Sequence, residues 1–251
     1  MKKRIKKNNF IEIFMKPEMR ILPGQLAFFL CLALVPTISI IIFFVGLLDL
    51  PIDKLKEYYD LSFYKDFLTL LKPISLKPSL LMFIITLYIS SNGMNSVIIT
   101  ANDMYEIEQY NFLKTRLKAL LMVAILILLF FALFVIPTVL SFITKFIPNV
   151  PSYVLYLKYP LLFLIIFIFL KILYILAPNK KIESKSVNLG ALVCTLGWMI
   201  MINIYTYYFI CFANYRAYYN ALADVVSLMF LIYILAFIFV IGLALNYENS
   251  K

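Results

Sequence analysis

Six apolar stretches dominate this chain, at residues 22–48, 79–99, 117–143, 154–177, 188–213 and 221–246. Each is long enough to cross a hydrocarbon layer of about 30 Å, which takes on the order of 20 residues at helical rise. Inside hydrocarbon every backbone N–H and C=O needs a protein partner, and a helix supplies them all within one segment. The pattern predicts an all-α, polytopic membrane protein with six transmembrane helices. The longest connection, residues 49–78, is too short to bury a core of its own. The expected organisation is a basic N-terminal segment at 1–21, one six-helix transmembrane domain at 22–246, and a short tail at 247–251. The first run does not read as a cleavable signal peptide: it is too long for an h-region, follows a basic lead and lacks a small-residue cleavage site.

Composition supports this class. Hydrophobic residues make up 64% of the chain and charged ones 14%, against roughly 45–50% apolar in soluble domains. The net charge of +10 would suit a nucleic-acid partner, but its placement argues for membrane topology instead. Lys2, Lys3, Arg4, Lys6, Lys7, Lys16 and Arg20 precede the first run, Lys114, Arg116 and Lys118 follow the second, and Lys180, Lys181 and Lys185 follow the fourth. The five lysines at 49–78 are offset by Asp49, Asp53, Glu57, Asp60 and Asp66. Positive charge is retained on the cytoplasmic side, so both termini are expected there. The expected partners are membrane lipids, with anionic headgroups at the cytoplasmic face. No nucleic-acid partner is expected; a protein partner or a homo-oligomer is left open.

The reactive residues point away from an enzyme. The chain has no histidine, which removes the commonest general base and metal ligand and the triads built on it. Cys31, Cys194 and Cys211 all lie within apolar runs without metal-ligand spacing and read as small packing residues. The six glycines form no phosphate-binding loop. Asp103, Glu106 and Glu108 read as a solvated helix start rather than a metal site. Neither catalytic residues, metal ligands nor a cofactor are expected.

Two features lie at the edges of the apolar runs. In the first outer loop, Leu55, Tyr58, Tyr59, Phe63, Phe67 and Leu70 recur at helix-like spacing among charges. This amphipathic segment would lie along the outer interface or over the mouth of the bundle. Pro36 and Pro137 fall inside apolar runs, where a kink frees carbonyls that need another partner.

Polar residues within the spans are the functional candidates, because they are costly in lipid and face the bundle interior. Ser91, Asn92, Asn95 and Asn102, with Gln25, could line a polar cavity near the inner face; interhelical hydrogen bonding, with Gly93 as a close-contact point, is the plainer reading. Near the outer face, Asn214, Tyr215 and Tyr219 fit either an aromatic interface belt or a headgroup or substrate site. Gly190 and Gly242 are further close-contact positions. Asp224 is the one intramembrane carboxylate, which makes ion coupling a weak expectation.

An ordered set of motifs resembles the YihY/BrkB family of bacterial inner-membrane proteins. The matches are Gln25-Leu26-Ala27-Phe28-Phe29 through Leu34-Val35-Pro36, Ser90-Ser91-Asn92-Gly93 with Ala101-Asn102-Asp103-Met104-Tyr105, and Leu189-Gly190-Ala191 with Trp198. Phe212-Ala213-Asn214-Tyr215, Tyr219, Tyr233 and Gly242-Leu243-Ala244-Leu245-Asn246 complete the set, which spans residues 20–246. Asn220 and Ala244 depart from it, standing where the family usually has glycine and an acidic residue. The resemblance implies six transmembrane helices, cytoplasmic termini and multi-pass placement in a bacterial plasma membrane. It also implies an envelope role that includes lipid handling. A ribonuclease label once given to the family finds no chemical support in a chain without histidine. The expected function is a transporter or a lipid- or amphiphile-translocating protein; the alternative is a non-transporting envelope factor that organises membrane proteins or lipids.

Overall fold

A computed structural model describes residues 21–32, 80–107, 112–146, 158–211 and 216–250. Six helices lie among these residues: α1 at Ile21–Leu32, α2 at Leu80–Met104, α3 at Phe112–Phe146, α4 at Lys158–Leu176, α5 at Asn188–Cys211 and α6 at Arg216–Asn249. Each overlaps one apolar run. The amphipathic reading at 49–71 and the basic segment before residue 21 fall outside the described residues. The tail expected at 247–251 begins inside α6, where Tyr247 is buried against the ring of Tyr105, centroids 5.5 Å apart.

Consecutive helices from α2 to α6 pack side by side, and α6 returns to α2, closing a ring. Leu22 and Leu26 of α1 are buried in the same core as Ile98, Met122, Leu170, Tyr174, Val240 and Leu243. Among the described residues, three helices contain stretches long and apolar enough to cross a bilayer: Tyr159–Leu176, Asn188–Tyr208 and Val225–Asn249. The side chains on α5 show what these helices are shaped for. Its exposed stripe, Leu189, Leu192, Leu196, Ile200 and Ile204, is at least as apolar as its buried face of Ala191, Cys194 and Thr195. A soluble amphipathic helix puts its apolar stripe inward. Here large side chains face out and small ones in, as in helix packing within lipid, where small residues let backbones approach.

The closest approach joins α5 to α6. A Cβ on Gly190 would collide with the Gly242 carbonyl and the Asn246 side chain, and one on Gly242 would collide with the Tyr174 hydroxyl. The Asn246 Oδ1 accepts the Gly190 N–H at 2.9 Å, giving an orphan donor in the first turn of α5 a buried partner. Tyr174 stacks on Phe239 at 4.7 Å and donates to the Phe239 carbonyl at 3.0 Å. The Trp198 indole N–H donates to Leu235 O at 3.0 Å further along the same seam.

Candidate functional site

The C-terminal half of α2 concentrates the polar groups of the bundle. Among the described residues seven polar or charged ones are buried, and five of them, Ser90, Ser91, Ser96, Thr100 and Asn102, lie on this helix. Small polar side chains at this density present hydroxyls and amides to the neighbours of α2. Two basic residues near the start of α3 reach those neighbours. Arg116 Nη1 donates to Asn92 Oδ1 at 2.6 Å and to Ser91 Oγ at 3.0 Å, while the Ser91 hydroxyl donates to Tyr88 O at 2.6 Å. The guanidinium also lies against two rings, 4.8 Å from the Tyr88 centroid and 5.3 Å from that of Phe112.

Two residues on, Lys118 closes off the end of α4. Its Nζ donates to Ala177 O at 2.9 Å, Pro178 O at 2.8 Å and Asn179 Oδ1 at 2.9 Å. An ammonium has three protons, and each finds an oxygen. Two of those oxygens are carbonyls just past the C-terminus of α4, where a cation also complements the helix dipole. Asn102 completes the junction by accepting the Asn179 N–H on its Oδ1 at 2.8 Å. The turn after α2, the turn after α4 and the end of α6 thus meet at one end of the bundle, where Asn249 also donates to Ser186 O at 3.2 Å.

Just beyond α2, Glu106 takes a left-handed conformation with φ of 55°. The Ile107 N–H bonds back to Asn102 O and the Glu106 N–H to Asp103 O, the paired bonds of a Schellman stop. That stop folds Tyr105 inward, and burial pushes its phenol up to about 12, against an opposing pull from Ser250.

The sequence-derived positions distribute unevenly. Ser91 and Asn92 converge on Arg116, and Asn102 joins the α4 junction. Asn95 is half-buried on α2, Gly93 is buried beside it, and Gln25 is exposed on α1, apart from this cluster. Gly190 and Gly242 face each other. Pro137 lies within α3 and Tyr219 within α6, without described side-chain surroundings. Pro36, Asn214 and Tyr215 fall outside the described residues. Arg116, Lys118, Asn179 and Asn246 were not legible as partners. Arg116 and Lys118 read as topology charges, and the available signal was their spacing of two at a helix start opposite a polar run. Buried polar atoms without a hydrogen-bond partner among the described residues include Ser96 Oγ, Arg116 Nε, Asn179 Nδ2 and Asn246 Nδ2. No group of three or more potential metal ligands occurs among the described residues.

Helices with outward aliphatic stripes, small residues at their crossings and a polar seam buried at one end define a helical membrane protein. Comparison with known proteins narrows the class. The chain belongs to the family described as Virulence factor BrkB, whose model matches residues 11–251. It is similar to the ribonuclease-like protein YfkH of Bacillus subtilis (strain 168), at 26% identity over 242 residues, 89% of this chain and 87% of YfkH. No solved structure matches it.

Proposed function

We propose that this BrkB-family protein spans a bacterial plasma membrane six times, keeps both termini in the cytoplasm, and moves a lipid or other amphiphile across that membrane. The sidedness reading is supported by the convergence of the α2–α3 turn, the α4–α5 turn and the end of α6 at one end, together with Lys114, Arg116 and Lys118 in the first turns of α3 and Lys180, Lys181 and Lys185 between α4 and α5. The observation that carries the transport reading is the buried polar seam of α2, which adjoins unpartnered polar atoms in an otherwise apolar bundle. Such groups are expensive in hydrocarbon and face the bundle interior or a water-filled pathway.

Native mass spectrometry of gently extracted protein, beside an Asn95→Leu variant, tests this. An amphiphile held by the wild type and lost from the folded variant supports the seam as a cargo site. The second reading, a non-transporting envelope factor, is favoured by one observation: Ser91, Asn92 and Asn102 already spend hydrogen bonds between helices and around Asn179. It predicts a co-purifying protein and no retained amphiphile. The ribonuclease-like name of YfkH is not carried over, because this chain has no histidine for acid–base hydrolysis.

A further inference from the structure

We propose that Arg116, with the rings of Tyr88 and Phe112, is a binding site for the phosphate of an anionic phospholipid. This rests on the membrane placement above but not on transport. Among the described residues the acceptors of Nη1, a serine hydroxyl and an asparagine amide, are both neutral, so neither cancels the positive charge. The guanidinium Nε is buried and has no hydrogen-bond partner among those residues. An arginine presents a planar fork of donors suited to phosphate oxygens. Holding Nη1 against Ser91 and Asn92 fixes that fork in place, so little ordering remains to be done when an anion arrives.

The surroundings select a lipid rather than a soluble anion. Tyr88 is 55% exposed and Phe112 66%, although both pack on the guanidinium. Aromatic rings of this kind sit at headgroup level. From Arg116 toward the bundle's middle, exposed Ile85 on α2 and Leu117 and Leu121 on α3 continue the surface with aliphatic side chains. Asn92 lies 12 residues before Met104, about 18 Å of helix. Arg116 itself lies four residues, about 6 Å, past the start of α3, so the charge stands near that end of α3 and against the middle of α2 rather than out in solvent. One molecule carrying a phosphate and an acyl chain matches a cation that grades into an apolar surface.

Thermal unfolding of the full chain in nanodiscs, made with phosphatidylcholine alone or with added phosphatidylglycerol, tests the assignment. The wild type should be stabilised by phosphatidylglycerol, and titration should show about tenfold preference over phosphatidylcholine, the scale of one charge-assisted contact. Arg116→Gln should lose that preference, and Tyr88→Leu, which keeps the charge, should weaken it. Lys114→Gln removes an equal charge two residues away and should keep it. Equal losses in Arg116→Gln and Lys114→Gln would reduce the effect to bulk charge and overturn the site. Equal stabilisation by inorganic phosphate, without phosphatidylglycerol, would overturn the lipid assignment. If Arg116→Gln does not fold, an unchanged preference in Tyr88→Leu overturns it too. A wild type that prefers phosphatidylglycerol yet moves no lipid would leave this site standing and remove only the transport reading.

Discussion

Alanine placed at three of the glycines should give opposite results, because their surroundings differ. In a helix interior Gly→Ala is intrinsically favourable by about 1 kcal/mol. At Gly24 a Cβ would meet nothing nearer than the Tyr233 ring at 4.0 Å, so the gain should be kept. At Gly242 the Cβ would collide with the Tyr174 hydroxyl and stand 3.0 Å from the Gly190 carbonyl. Tyr174 is fully buried and stacked on Phe239, so it cannot swing aside. Relief requires α6 to move away from both α4 and α5, an overpacking cost of roughly 1–3 kcal/mol. Displacing the Tyr174 bond to Phe239 O adds about 1 kcal/mol. The clash outweighs the propensity gain, for a net loss of about 1–3 kcal/mol. Gly197 falls between, since its one obstacle under 3 Å is a side-chain methyl, the Cγ2 of Ile238 at 2.8 Å, rather than a buried tyrosine together with a backbone carbonyl. Thermal unfolding in detergent reads the series. At roughly 2–4 °C per kcal/mol for a chain of this size, Gly24→Ala should rise by a few degrees and Gly242→Ala should fall by about 2–12 °C. A Gly242→Ala protein as stable as Gly24→Ala would refute the close crossing.

Two further perturbations address the polar end. Lys118→Met keeps the length of the stem but removes three donors. At roughly 0.6 kcal/mol for each such bond between membrane helices it should cost about 2 kcal/mol by the same assay, and no loss would mean that the α3–α4 junction does not depend on the ammonium. Tyr105 titrates higher when folded than its ordinary value of 10, so its contribution is whole below pH 10 and is lost as the pH rises toward 12. Tyr105→Phe should therefore flatten the decline in unfolding temperature over that window, and an unchanged slope would assign the decline to other groups.

Helix existence was legible in the sequence because hydrocarbon leaves a run of some 20 apolar residues one economical conformation. Helix ends were less so: α3 starts at Phe112, ahead of the apolar run at 117, because Arg116 and Lys118 turn toward neighbouring helices rather than mark a boundary. The polar run of α2 was visible, but its partners were not. Ser91 and Asn92 meet a residue 24 or 25 positions away, and Asn102 one 77 positions away, distances across which periodicity carries no signal. Gly190 and Gly242 were visible only as small residues; the facing Asn246 gives their contact its direction. Gln25 shows the limit of reasoning from residue type, since it lies exposed although its chemistry matched the seam.

The transport claim is tested most directly by trans-bilayer movement of a fluorescent phospholipid in proteoliposomes, followed by quenching of the outer leaflet. Wild-type protein should accelerate movement well above protein-free vesicles, and Asn95→Leu, reconstituted to the same density, should return it toward that background. Acceleration that is equal in both would contradict the role of the α2 seam. No acceleration by the wild type would contradict translocation itself and favour the organising role.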